Sequence, residues 1–147
     1  MSLPLDVALK QCERHAVIML AALREMPAPL SAELLQHASP ELIRLIDQFV
    51  LRFTKLQDTL GAHVLRQFAA QVLVEPVEDL PFIDVLDLLE RRGYLTTEAW
   101  ALQRGTRNAL THEYPDDPQR QALALNAARR AAQQLNQWLE KISLQMA

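Results

Sequence analysis

Glycine is scarce in this chain of 147 residues: Gly61, Gly93 and Gly105 are the only three, and they stand far apart. Phosphate-cradling loops and dinucleotide fingerprints need clustered glycines, so both are excluded. Cysteine is scarcer still. Cys12 alone leaves no internal disulfide, which suits a reducing compartment. Aromatic residues make up 5% of the chain and β-branched runs are few, whereas Leu and Ala abound. That balance favours helices over sheets. The longest apolar stretch, Ala16 to Leu23, is far too short to cross a membrane. Asp6 and Glu13 stand where a secretory signal would place basic residues and then an unbroken apolar run. Positive charge is not in excess either. A net charge of −3 excludes a generally basic nucleic-acid binder. The expectation is a soluble, cytoplasmic protein with one domain over residues 1–147, long enough to bury a core without staples.

The eight prolines divide what is there, because proline inside a helix removes a hydrogen bond and clashes with the preceding turn. From Leu5 to Met26, the residues Leu5, Leu9, Cys12, Ala16, Met19, Leu23 and Met26 form one helical stripe. A short turn of helix is expected after Ser31. Ser39 then reads as an N-cap with Pro40 at the first helical position. From Leu42 through Ile46, Phe49, Phe53, Leu56 and Leu60 to Val64 the stripe continues, and the helix reaches about Val74. Unbroken, it would be roughly 50 Å long. Gly61 is placed either to bend it or to admit another helix closely. A shorter helix over about Phe82 to Arg92 stops at Gly93; another, capped by Thr96 or Thr97, runs until Tyr114 precedes Pro115. Asp117 and Pro118 start the last, with Ala122, Leu125, Ala128, Ala132, Leu135, Leu139 and Ile142 on one face. An all-α, up-and-down antiparallel bundle of about five helices is the expected fold.

Charge is segregated in one region. Every charged residue from Glu75 to Glu90 is acidic, and Arg91, Arg92, Arg104 and Arg107 follow with only Glu98 among them. This reads either as two solvated faces or as a local basic site. Metal-ligand spacing is poor. Cys12 with His15, and Glu33 with His37, can each share a helix face, but neither has a matching second pair. His112-Glu113 opens like a zinc-protease helix, yet Asp116 stands where the second histidine belongs. His63, beside the apolar stripe, reads as a packed histidine. No metal and no cofactor is expected.

The informative stretch runs from Arg104 to Pro115. Arg104, Arg107, Asn108, Thr111 and His112 fall within an arc of about 140° on a helix, and Ala99, Leu102, Ala109 and Leu110 lie opposite. The pattern predicts a dry back packed into the bundle and a polar front of two guanidiniums, an amide and an imidazole. Arg107 and His112 are roughly 7.5 Å apart along the axis, so one phosphate could touch both. Guanidiniums match phosphate oxygens and stabilise the charge of a pentacoordinate transition state. His112 can transfer protons near neutral pH, with the helix dipole favouring its protonated form. Without a metal constellation, the nucleophile that fits is the 2′-hydroxyl of RNA.

Arg107-Asn108, His112 and Tyr114 together resemble the HEPN superfamily motif: an arginine followed by a polar residue, then histidine, then tyrosine two further on. The likeness is strongest to the HepT-like toxins that pair with a minimal nucleotidyltransferase, and runs from the long second helix to the C-terminus. It implies a helical bundle, a two-fold homodimer with the motif at its interface, and metal-independent RNA cleavage. Arg107, His112 and Asn108 would be catalytic, Arg104 and Arg107 would bind RNA, and Tyr114 would be the residue a partner nucleotidyltransferase adenylates. The function so implied is the endoribonuclease toxin of a type II or type VII toxin–antitoxin pair. Two others compete: a non-catalytic substrate-binding or regulatory subunit of such a nucleotidyltransferase, and a structural bundle in which the motif is only an exposed helix end.

Overall fold

The computed structural model describes residues 3–112, 114 and 116–146, and those residues are all-helical, with no strand among them. The elements are α1 (Leu5–Glu25), α2 (Ala32–Gln36), α3 (Pro40–Thr59), a π-helical turn (Leu60–Val64), α4 (Leu65–Gln71), α5 (Phe82–Arg91), α6 (Thr97–Thr111) and α7 (Pro118–Leu144). The expected long second helix is therefore α3 and α4, joined through the π-turn. With the four other principal helices it makes the expected five, and α2 is the short turn after Ser31. None of these helices is long and apolar enough to cross a membrane.

The caps sit where the sequence puts them. Ser31, Ser39, Thr96 and Asp117 each accept, through a side-chain oxygen, a hydrogen bond from the backbone N–H three residues on. Each satisfies one of the orphan donors of a helix start. Gly93 follows α5 with φ of 82°, the left-handed conformation that ends a helix at low steric cost in glycine. The predicted stripes of α1, α3 and α7 are all buried, and all of their residues but Ala122 join one core cluster around Phe49, Phe53 and Phe68. α1 packs chiefly on α3, and α6 on α7 and α3. The last of these contacts carries the site.

Two expectations for α6 require correction. The helix ends at Thr111, and His112 is already extended at ψ of 140°, short of the boundary expected at Tyr114. A proline at position 115 sets only the outer limit of the helix, through its missing N–H and its bias on the residue before it, and α6 stops inside that limit. The buried face also differs. Leu102 is 67% exposed, and the residues that enter the core are Trp100 and Gln103. Trp100 offers much more apolar surface than Leu102, so it turns the helix and carries Arg107, seven residues on, towards α3.

Candidate functional site

Trp100 fixes the contact between α3 and α6. Its indole stacks on Trp138 at 6.2 Å and meets the edge of Phe82 at 6.0 Å. On the other side lies Gly61, in the π-turn, where a Cβ would come within 2.9 Å of the indole. Gly61 thus admits the close approach, the second of its two expected roles. The π-turn begins two residues after Asp58, which with Gln57 receives the arginines of α6.

Arg107 donates to both carboxylate oxygens of Asp58, from Nε to Oδ1 at 3.1 Å and from Nη2 to Oδ2 at 2.8 Å. Arg104 joins them through Nη1, 3.0 Å from Asp58 Oδ1 and 3.1 Å from Gln57 Oε1. Burial on its own would push the Asp58 carboxyl up. The hydrogen bonds and charges of Arg107 and Arg104 outweigh it and hold that carboxyl below its ordinary value. The same hydrogen bond raises the Arg107 guanidinium further, against the effect of its partial burial. Beneath the clamp lies a buried amide chain. Gln57 Nε2 donates to the Gln103 carbonyl at 2.8 Å and to Gln103 Oε1 at 3.2 Å. Gln103 Nε2 donates in turn to the Ala131 carbonyl and to Gln134 Oε1. Arg104 is therefore tied through α3 and back through α6 to α7.

The predicted polar front is thus divided. Asp58, Gly61, Phe82, Trp100, Arg104 and Arg107 line a cleft of about 440 Å³. His112 and Tyr114 line a different one, of about 680 Å³, with Asp47 and Val50 of α3, Leu110 of α6 and Leu125 of α7. Their rings are 6.2 Å apart, centre to centre, and tilted by 52°. Asp47, Thr54, Asp58 and Gly61 follow one another along α3 and its π-turn, so both clefts open on the same edge of that helix. Arg107 and His112 do not converge on one point as an unbroken helix would have them. Asn108 and Thr111 are exposed, and the Asn108 carbonyl accepts the Thr111 hydroxyl at 2.9 Å. Tyr114 is half-buried beyond the helix end.

Charge follows the same logic. Arg92 pairs with Glu75 at 3.0 Å, so three of the four arginines read as a basic region have carboxylate partners. Arg107 Nη1 and Arg104 Nη2 and Nε make no hydrogen bond among the described residues, and these are the donors left for an anion. Asp58 was not among the residues expected from the sequence: it lies on the α3 edge that Trp100 faces, and nothing within its own helix marks it as the partner of arginines 46 and 49 residues on.

The other candidates have structural roles. Cys12 is in the core, and burial, helped by Glu13, pushes its thiol up to about 12. His15 faces Arg52, with Nδ1 3.1 Å from Nη1; burial first, then Arg52, Lys55 and Arg14, lower its pKa. His63 Nδ1 accepts the backbone N–H of Leu3. Among the described residues no three His, Cys, Asp or Glu side chains gather as metal ligands would. No family model, no curated protein and no solved structure matches this chain.

Proposed function

We propose that this chain is a metal-independent endoribonuclease of HEPN type, the toxin of a type II or type VII toxin–antitoxin pair, working as a two-fold homodimer. The observation that supports it best is the Asp58 clamp. It orients the motif arginine Arg107 and its neighbour Arg104 while leaving each an unpaired donor, and His112 stays exposed just beyond them. A fixed guanidinium loses little freedom when it meets a phosphate, so its charge acts mainly on the transition state.

In the reaction, the 2′-oxygen of RNA attacks the adjacent phosphorus and gives up its proton to a His112 imidazole. The 5′-oxygen leaves with a proton from a second His112, producing a 2′,3′-cyclic phosphate and a free 5′-hydroxyl. One chain offers a single such histidine, and its arginines line a neighbouring cleft. A two-fold axis beside His112 would supply the second imidazole and bring another pair of arginines across. Asn108, exposed between the two halves of the motif, positions the phosphate. Tyr114, outside the helix and open to a cleft, is accessible for adenylation by a partner nucleotidyltransferase. An adenylate there would add negative charge and fill the space beside His112, blocking RNA.

Inducible expression of wild type and His112→Ala, scored for growth and RNA integrity, tests the proposal. Wild type should arrest growth and degrade RNA, and the variant should do neither. A harmless wild type that leaves RNA intact, with no inhibitor co-expressed, contradicts it. One observation favours the second reading, a non-catalytic subunit of a nucleotidyltransferase: His112 lines a different cleft from Arg104 and Arg107. That reading predicts nucleotide or polynucleotide binding that survives His112→Ala, with no cleavage by either protein.

A further inference from the structure

The cleft beside His112 holds polar groups that nothing in the fold uses. Its walls are apolar, built from Ile46 and Val50 of α3, Leu110 of α6 and Leu125 of α7. Into the same space face Asp47, Thr54 and Gln121. The Asp47 carboxylate is exposed and makes no ion pair or hydrogen bond among the described residues, nor does the Gln121 amide through its side chain. The Thr54 hydroxyl oxygen is buried and likewise without a partner. At about 680 Å³ the cleft is of the size that takes a small organic ligand, and flat apolar walls with a few convergent polar groups are how such ligands are held.

We infer that this cleft is a base subsite that selects guanine at the nucleotide next to the scissile phosphate. The inference rests on the ribonuclease reading for the word scissile, but the binding site itself stands on the cleft. The reason is donor and acceptor matching. A carboxylate only accepts, and with two oxygens it fits two parallel donors. Guanine presents N1–H and the N2 amino group side by side on one edge. Adenine and cytosine each set one donor beside a ring nitrogen that accepts, and uracil sets one donor between two carbonyls. Each of these would turn a lone pair towards Asp47 where guanine turns a hydrogen. Guanine O6 then needs a donor, and the Gln121 amide in the same cleft can supply one. The purine faces would lie against Val50, Leu110 and Leu125, leaving the sugar and phosphate towards His112.

The test is titration of wild type and Asp47→Asn with GMP, AMP, CMP and UMP, followed by methyl NMR at Ile46, Val50 and Leu125. Asp47 is exposed and carries no ion pair, so the variant should fold as wild type does, and circular dichroism checks this. GMP should shift these methyls and bind about tenfold more tightly than each of the other three, and Asp47→Asn should remove that preference. Equal binding of the four nucleotides, preference for another base, shifts confined to other parts of the protein, or no shift at millimolar nucleotide would each overturn the inference. A cleft closed by a second copy of the chain gives the last of these results. Mapping of RNA ends separates the two proposals. Guanylate binding here without RNA cleavage contradicts the ribonuclease reading and leaves the site standing. Cleavage indifferent to guanine, with no binding here, does the reverse.

Discussion

Arg107 and Asp58 form a two-point ion pair between α6 and α3, Nε to Oδ1 at 3.1 Å and Nη2 to Oδ2 at 2.8 Å. A planar guanidinium on a planar carboxylate fixes angle as well as distance, which a lysine could not do. Arg107 is thereby held at a fixed orientation against α3.

That pair has a pH signature. The folded-state pKa of Asp58 lies below its unfolded value, which is about 3.9. Its contribution to stability is therefore complete above that value and is lost as pH falls through the lower folded one. Because Asp58 is 44% exposed, the contribution is about 1 kcal/mol and no more. The difference in unfolding free energy between wild type and Asp58→Asn should be flat from about pH 5 to 8 and shrink below about pH 4. A difference that changes between pH 6 and 8 would mean another group governs the pair.

The buried amide chain predicts an ordering. Gln57→Leu leaves Gln103 Oε1 buried without its donor and removes an acceptor from Arg104, at a cost of about 2 kcal/mol. Gln103→Leu leaves Gln57 Nε2 still bonded to the backbone carbonyl of residue 103 and Gln134 near solvent, at a cost of about 1 kcal/mol or less. Urea midpoints at unchanged slope should rank wild type, Gln103→Leu and Gln57→Leu in falling order. The reverse order would show that the chain through Gln57 is not what holds α3 to α6.

Gly61→Ala sets propensity against packing. Alanine gains about 1 kcal/mol over glycine in a helix interior. Here its methyl would lie 2.9 Å from an indole that is buried between Trp138 and Phe82 and has little room to move. Overpacking of this kind costs about 1–3 kcal/mol, so the net change should be destabilising, with altered tryptophan fluorescence. A variant more stable than wild type would show that the helices part easily at this point.

How far the sequence carries depends on range. Proline boundaries, side-chain caps and the stripes of α1, α3 and α7 are local or periodic, and they were legible down to Ser39, Asp117 and the last Ile142. The long helix concealed a π-turn because Leu60 and Val64, four apart, fit either kind of turn. On α6 the periodicity was ambiguous: Leu102 counted as core, although Trp100 buries the larger surface. The carboxylate partner of the arginines was not identified because Asp58 is 49 residues away in sequence from Arg107. Ion pairs between helices leave no local pattern. The separation of His112 from Arg107 into another cleft was also illegible, because it follows from where α6 stops.

The proposed ribonuclease activity requires Arg107 and His112 and no metal. Purified wild type, His112→Ala and Arg107→Ala should be incubated with RNA in EDTA, and the product ends identified by mass spectrometry. Wild type should yield 2′,3′-cyclic phosphate ends at an undiminished rate. His112→Ala should lose about 100-fold or more. Its helical circular dichroism should be unchanged, since an exposed side chain beyond the helix end is removed. Cleavage that EDTA abolishes and magnesium restores, or that His112→Ala retains in full, would contradict the account.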